Sequence, residues 1–77
     1  MGPLVEIPAM VRIENEHWVF ERIEEGVLHN LTHKLILHEG SSQKVIGGTI
    51  DMQTAMQVAQ CMAQKENRIV MIQPIKS

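Results

Sequence analysis

Apolar and polar positions alternate along most of this chain with the period of two that marks a strand, and they switch once to the 3.6-residue period of a helix. The switch comes at Asp51. Asp51 can accept hydrogen bonds from the N–H groups of a first helical turn, after which Met52, Ala55, Met56, Ala59, Met62, Ala63 and Glu66 share one side of the wheel. That stripe should pack on a sheet. Asn67 tolerates left-handed geometry and ends the helix, and Arg68-Ile69-Val70-Met71-Ile72 begins at once as a strand that is apolar on both faces.

Ahead of the helix, Ala9 to Ile13 reads as a strand, Glu14-Asn15-Glu16 as a polar turn, and His17 to Ile23 as a second strand. Trp18 and Phe20 lie on one face of that strand, with Val19 and Ile23 on the other, so the pair makes a hairpin. Glu24-Glu25-Gly26 is the next turn. Val27 to His38 fits two patterns: a strand with Leu31, His33, Leu35 and Leu37 on one face, or a helix with a Leu28, Leu31, Leu35 stripe. The short flanking turns and the bounding Gly26 and Gly40 favour a strand from Leu31 to His38. Glu39 to Gln43 is a loop, and Lys44 to Ile50 is the strand that feeds the helix. Inside it, Gly47-Gly48 marks a bulge or a place where another backbone comes close.

These elements predict an α+β fold: a small, mostly antiparallel sheet of about five strands in the order β-β-β-β-α-β, with one helix packed on one face. Residues 1–8, which contain Pro3 and Pro8, form a loose N-terminal arm or an edge segment, and residues 9–77 form a single domain. A last strand paired in parallel with the strand before the helix would need a right-handed crossover.

Chain length changes this picture. A domain of 77 residues buries only about 60% of its unfolded surface, and its core is worth roughly 3–5 kcal/mol. Small domains of this kind usually carry a staple. Cys61 is the only cysteine, which excludes an internal disulfide and leaves a metal or self-association. The sheet asks for the latter: Ile69 and Met71 point to one face while Val70 and Ile72 point to the other, and one helix covers one face. A second copy is the simplest cover, giving a homo-oligomer, most simply a dimer; the alternative is a strongly curled sheet whose far face is closed by residues 1 to 8. Val70 and Ile72 are the candidate contacts, together with Val58, which lies near Thr54 and Cys61 away from the main helical stripe.

The polar side of the helix adds a second surface. Gln53, Gln57, Gln60 and Gln64 occupy a narrow sector beside the stripe, and no charge falls between Asp51 and Lys65. Solvated helices are normally dressed with Glu and Lys pairs. A ribbon of amides can bond a partner protein without the desolvation cost of an ion pair, so these four residues are candidate partner contacts.

Charge and candidate chemistry mostly exclude. The net charge of −2 and the two aromatic residues, Trp18 and Phe20, argue against nucleic acid. No apolar run approaches a membrane span, and the first residues lack a signal-like apolar core, so a cytoplasmic protein without membrane contact is expected. His29 and His33 are four apart, with His17 and His38 elsewhere, but a zinc site needs three or four convergent ligands and local spacing supplies two. Cys61 sits in the third turn, away from the helix N-terminus that would activate it, and reads as a packing residue. Glu6, Glu14, Glu16, Glu21, Glu24, Glu25 and Glu39 stand in turns or alternate with apolar residues as solvated positions do. Gly40-Ser41-Ser42-Gln43-Lys44 lacks the spacing of a phosphate loop and precedes a strand.

No cofactor or catalytic set is implied. The sequence therefore reads as a non-enzymatic interaction module that self-associates and binds, to inhibit or sequester, another protein. The alternative is a binder of a nucleotide-like or other anionic ligand, held at a subunit seam by Arg22, Lys34, Lys44 or Arg68. This order of elements recurs in many small bacterial and phage proteins, and such a likeness carries no information about activity.

Overall fold

Two tight turns set the strand pairing. At Asn15 and Glu16 the backbone has positive φ at both positions (52° and 65°), the geometry of a two-residue hairpin whose twist matches its strands. At Gly40 φ is 62°, and a two-residue turn replaces the five-residue loop expected from the sequence. The computed structural model describes residues 7–23 and 30–75. Over that range the elements are β1 (Met10–Glu14), β2 (His17–Glu21), β3 (His33–Glu39), β4 (Ser42–Thr49), α1 (Met52–Glu66) and β5 (Ile69–Pro74). The fold is α+β: five strands, mostly antiparallel, with α1 packed on one face. Glu24-Glu25-Gly26, His29 and residues 1–6 of the arm lie outside the described residues. Of the rest of the arm, Ile7 is buried and Pro8 is exposed.

The strand order β2-β1-β4-β3-β5 is not that of a simple meander. β1 pairs in parallel with β4 at Met10 and Gly48, so the first hairpin is inserted beside β4 and β2 becomes an edge. The glycines make this possible. A Cβ on Gly47 would stand 2.3 Å from Val11 Cγ2 and 3.0 Å from the Ala9 carbonyl oxygen, on the helix side of the sheet. One on Gly48 would meet Leu31 Cδ1 at 3.0 Å and Ile7 Cγ2 at 3.1 Å. The Gly48 N–H donates to the Ala9 carbonyl at 2.8 Å and ties the two halves together. A register shift at Leu35/Ile36 leaves Ile46 unpaired, so both readings of the paired glycines, bulge and close approach, describe this region.

β5 does not pair with β4. It lies antiparallel on the far side of β3, so the crossover through α1 skips one strand. Its register places Ile72 beside Leu35 and Val70 beside Leu37. Paired residues share a face, and Leu35 belongs to the core under α1, so Val70 and Ile72 face the helix. Their side chains therefore pack under α1 rather than on the uncovered outer face, and both keep part of their surface exposed at the sheet edge. The residues left on the outer face of β5 are Ile69 and Met71, 71% and 41% exposed.

α1 is seated differently from the predicted stripe. Its buried residues are Ala55, Val58 and Met62, which pack on Val11 and Leu35, while Met52 and Met56 stand 46% and 55% exposed. Val58 has no exposed surface, so it cannot touch a second copy and is a core residue. The reason is geometric: small Ala55 lets the helix approach closely, and Val58 and Met62 then fill the space over β1 and β3. Full burial of such a side chain is worth about 1.5–3 kcal/mol. The helix ends follow expectation. Thr54 N–H donates to Asp51 Oδ1 at 2.6 Å, and Asn67, at φ 55°, closes the last turn with its N–H on the Ala63 carbonyl at 3.1 Å. Thr49, the buried polar residue of β4, donates its hydroxyl to the Asp51 carbonyl at 3.0 Å.

Two measurements check this account. Gly47→Ala should cost about 1–3 kcal/mol by overpacking, and less in a Val11→Ala background, where the nearest clash is gone; equal costs in a denaturant double-mutant cycle would refute the close approach. The Thr54 backbone hydrogen bond, followed by the bond to its side chain, holds the Asp51 carboxyl below its ordinary value. A lowered folded-state pKa gives stability that is present above the unfolded value and lost as pH falls through the folded one. Asp51→Asn should accordingly flatten the acid limb of a stability–pH curve, and an unchanged limb would show that the cap carries no charge effect.

Candidate functional site

The hairpin turn and the helix flank meet in an open groove of about 320 Å³, lined by Ile13, Glu16, Gln57, Gln60, Cys61, Gln64 and Lys65. Each wall follows from local structure. On α1, the burial of Ala55, Val58 and Met62 turns Cys61 and Lys65 toward the hairpin and leaves Gln57, Gln60 and Gln64 along the upper rim. On β1, Ile13 shares the helix-facing side with Val11 and forms the apolar floor. Gln53 is exposed one turn earlier and lies outside the lining. The ribbon thus stands opposite the buried stripe rather than beside it, and three of its four amides border a concave surface.

Lys65 sets the closed end of the groove. Its Nζ donates to the Glu16 carbonyl at 2.5 Å and lies 3.4 Å from His17 Nδ1, and Cys61 Sγ is 4.0 Å from the same carbonyl. The helix is thereby clamped to a turn in which Glu16, a residue with a Cβ, holds a left-handed conformation. That combination was not visible in the sequence. The contacts span 45 and 49 residues, and they reach a main-chain oxygen, whose position no side-chain pattern reports.

The alternative cationic set does not come together. Arg22 follows edge strand β2, Lys34 pairs with Gly48 and Gln73, Lys44 pairs with Leu37 three residues further along β3, and Arg68 precedes β5 on the opposite edge. Arg68 forms an ion pair with Glu66 at 3.2 Å. Arg12, which the sequence did not single out, instead bridges Glu14 at 2.9 Å and Glu21 across the hairpin. Among the described residues no group of three or more His, Cys, Asp or Glu side chains is placed to hold a metal ion. His33 is engaged locally, its Nδ1 2.7 Å from the Thr32 hydroxyl. No helix among the described residues is long and apolar enough to cross a membrane.

Comparison with protein-family models, with curated proteins and with solved structures finds no match for the chain. Its site must be read from its own geometry. Glu16→Gly should raise stability by about 1 kcal/mol, because it relieves the left-handed strain while leaving the carbonyl that receives Lys65. A loss of stability in chemical denaturation would show that the Glu16 side chain, and not the turn geometry, holds this end of the groove.

Proposed function

We propose that this protein is a small non-enzymatic interaction module that self-associates and binds, to inhibit or sequester, another protein along the flank of α1. The observation that supports the binding surface most directly is the placement of Gln57, Gln60 and Gln64 on the rim of a groove with Ile13 at its floor. Such a groove suits a segment of polypeptide. An apolar side chain of the partner can enter over Ile13, while the amides offer donors and acceptors to its main chain. The uncharged stretch between Asp51 and Lys65 keeps charge off the Gln57, Gln60 and Gln64 rim, and the charged residues of the lining, Glu16 and Lys65, stand together at the hairpin end.

Self-association rests on separate ground. Ile69 and Met71 leave apolar surface on the outer face of the sheet, in a chain whose size makes a self-sufficient core marginal. The two surfaces lie on different sides of the molecule, so a self-associated form keeps its groove open. The double substitution Gln57→Glu, Gln60→Glu tests the binding surface. Both positions are exposed, so the fold should change by no more than about 0.5 kcal/mol. Capture of the partner that the unaltered protein retains should fall by about tenfold or more as charge enters the contact. Equal capture by both forms would remove the Gln-lined groove from the function.

A further inference from the structure

β5 is an edge strand whose one protective residue is Pro74 at its end, and Ile69 to Gln73 carries none. Natural edges are blunted by charge, by bulges or by a covering segment. The opposite edge, β2, follows that practice: Glu21 is ion-paired to Arg12, and His17 stands near Lys65. β5 reads Ile-Val-Met-Ile-Gln-Pro, without a charged residue. Among the described residues, no strand pairs with its outer side.

The register shows which main-chain groups face outward. Ile75 N–H donates to the Thr32 carbonyl at 2.9 Å, so Ile75 turns toward β3, and alternation turns Gln73, Met71 and Ile69 the same way. Val70, Ile72 and Pro74 then direct their main-chain groups to the open side. Pro74 has no N–H to leave there, so it ends the row of donors. What remains is one N–H and one C=O each at Val70 and Ile72, with the Pro74 C=O beyond them, and the Val70 and Ile72 groups are their own complement about a two-fold axis through Met71.

Extending the self-association proposed above, we infer that two copies pair antiparallel through β5, with Met71 opposite its own copy and Val70 opposite Ile72 of the other chain. Four main-chain hydrogen bonds then form, two at each Val70 and Ile72 pair, and the sheets join into one of ten strands. A two-fold axis brings each residue near its own copy, so a charge on the axis would repel itself; β5 has none. The side chains agree on both faces. On the outer face Met71 meets its own copy, and Ile69, largely exposed in the single chain, meets Gln73 of the other chain. On the helix side, α1 turns Lys65 and Cys61 toward the hairpin, so Met52 and Met56 lie on the opposite flank, toward β5. A six-residue strand edge is about 20 Å long. Four largely exposed apolar side chains, Ile69, Met71, Met52 and Met56, stand beside it, and the pairing is tested at micromolar concentration.

Directly opposed residues that do not share hydrogen bonds have Cα atoms about 4.5 Å apart, within disulfide range. In a full-length Cys61→Ser background, Met71→Cys should give a covalent dimer on mild oxidation. Ile69→Cys and Gln73→Cys should not do so singly, since each lies about 13 Å from its own copy, but a mixture of the two should cross-link. Light scattering of the unaltered chain should report a dimer, and Met71→Lys should report a monomer with an unchanged circular dichroism spectrum. A monomer at micromolar concentration in the unaltered chain would overturn both this pairing and self-association. A dimer in which Met71→Cys fails to cross-link, or in which Ile69→Cys alone does, would overturn the β5 register and leave self-association standing.

Discussion

The whole structure depends on the close approach of two backbones at Gly47 and Gly48. There the N-terminal hairpin joins the three-strand unit through a single pairing of Met10 with Gly48 and the hydrogen bond from Gly48 to Ala9. Without that approach β1 and β4 would be separate edges, and α1 would have half a platform. Val11 fills the space that a side chain at Gly47 would take, and it becomes a centre of the core shared with Leu35, Ala55, Val58 and Met62. One steric vacancy therefore determines sheet order, core composition and the height at which the helix sits.

The groove is a consequence of the same packing. Because the helix is anchored over β1 and β3, its flank overhangs the hairpin turn, and Lys65 reaches the Glu16 carbonyl. The space between the anchor and the clamp is where Gln57, Gln60 and Gln64 meet Ile13. At the other end of the sheet the skipped crossover leaves β5 as an edge, with Ile69 and Met71 outward. Two surfaces thus arise at opposite sides of one platform, one a groove rimmed by amides over an apolar floor, the other an apolar strand edge. Surfaces so different suit different kinds of contact.

Local rules carried much of this into the sequence. The Asp51 cap, the Asn67 stop, the first hairpin, the strand around Leu35 and the paired glycines all act within a few residues, through backbone geometry or alternation, and the structure follows each of them. The helix stripe was harder. Methionine and alanine are apolar enough to suggest burial yet tolerate exposure, so Met52 and Met56 drew the stripe toward themselves and away from Val58. Gln57, Gln60 and Gln64 were legible as an uncharged row, but the residues facing them were not.

What the sequence alone determined was the identity and order of the elements, because turn chemistry, capping and periodicity are local. Tertiary structure decided the rest. It placed β3 between β4 and β5, turned Val70 and Ile72 toward the helix, made Val58 core, and dispersed Arg22, Lys34, Lys44 and Arg68 over the sheet. Each of these outcomes depends on which face of a strand or helix meets another element many residues away. A strand apolar on both sides does not contain that choice; the register against Leu35 and Leu37 makes it.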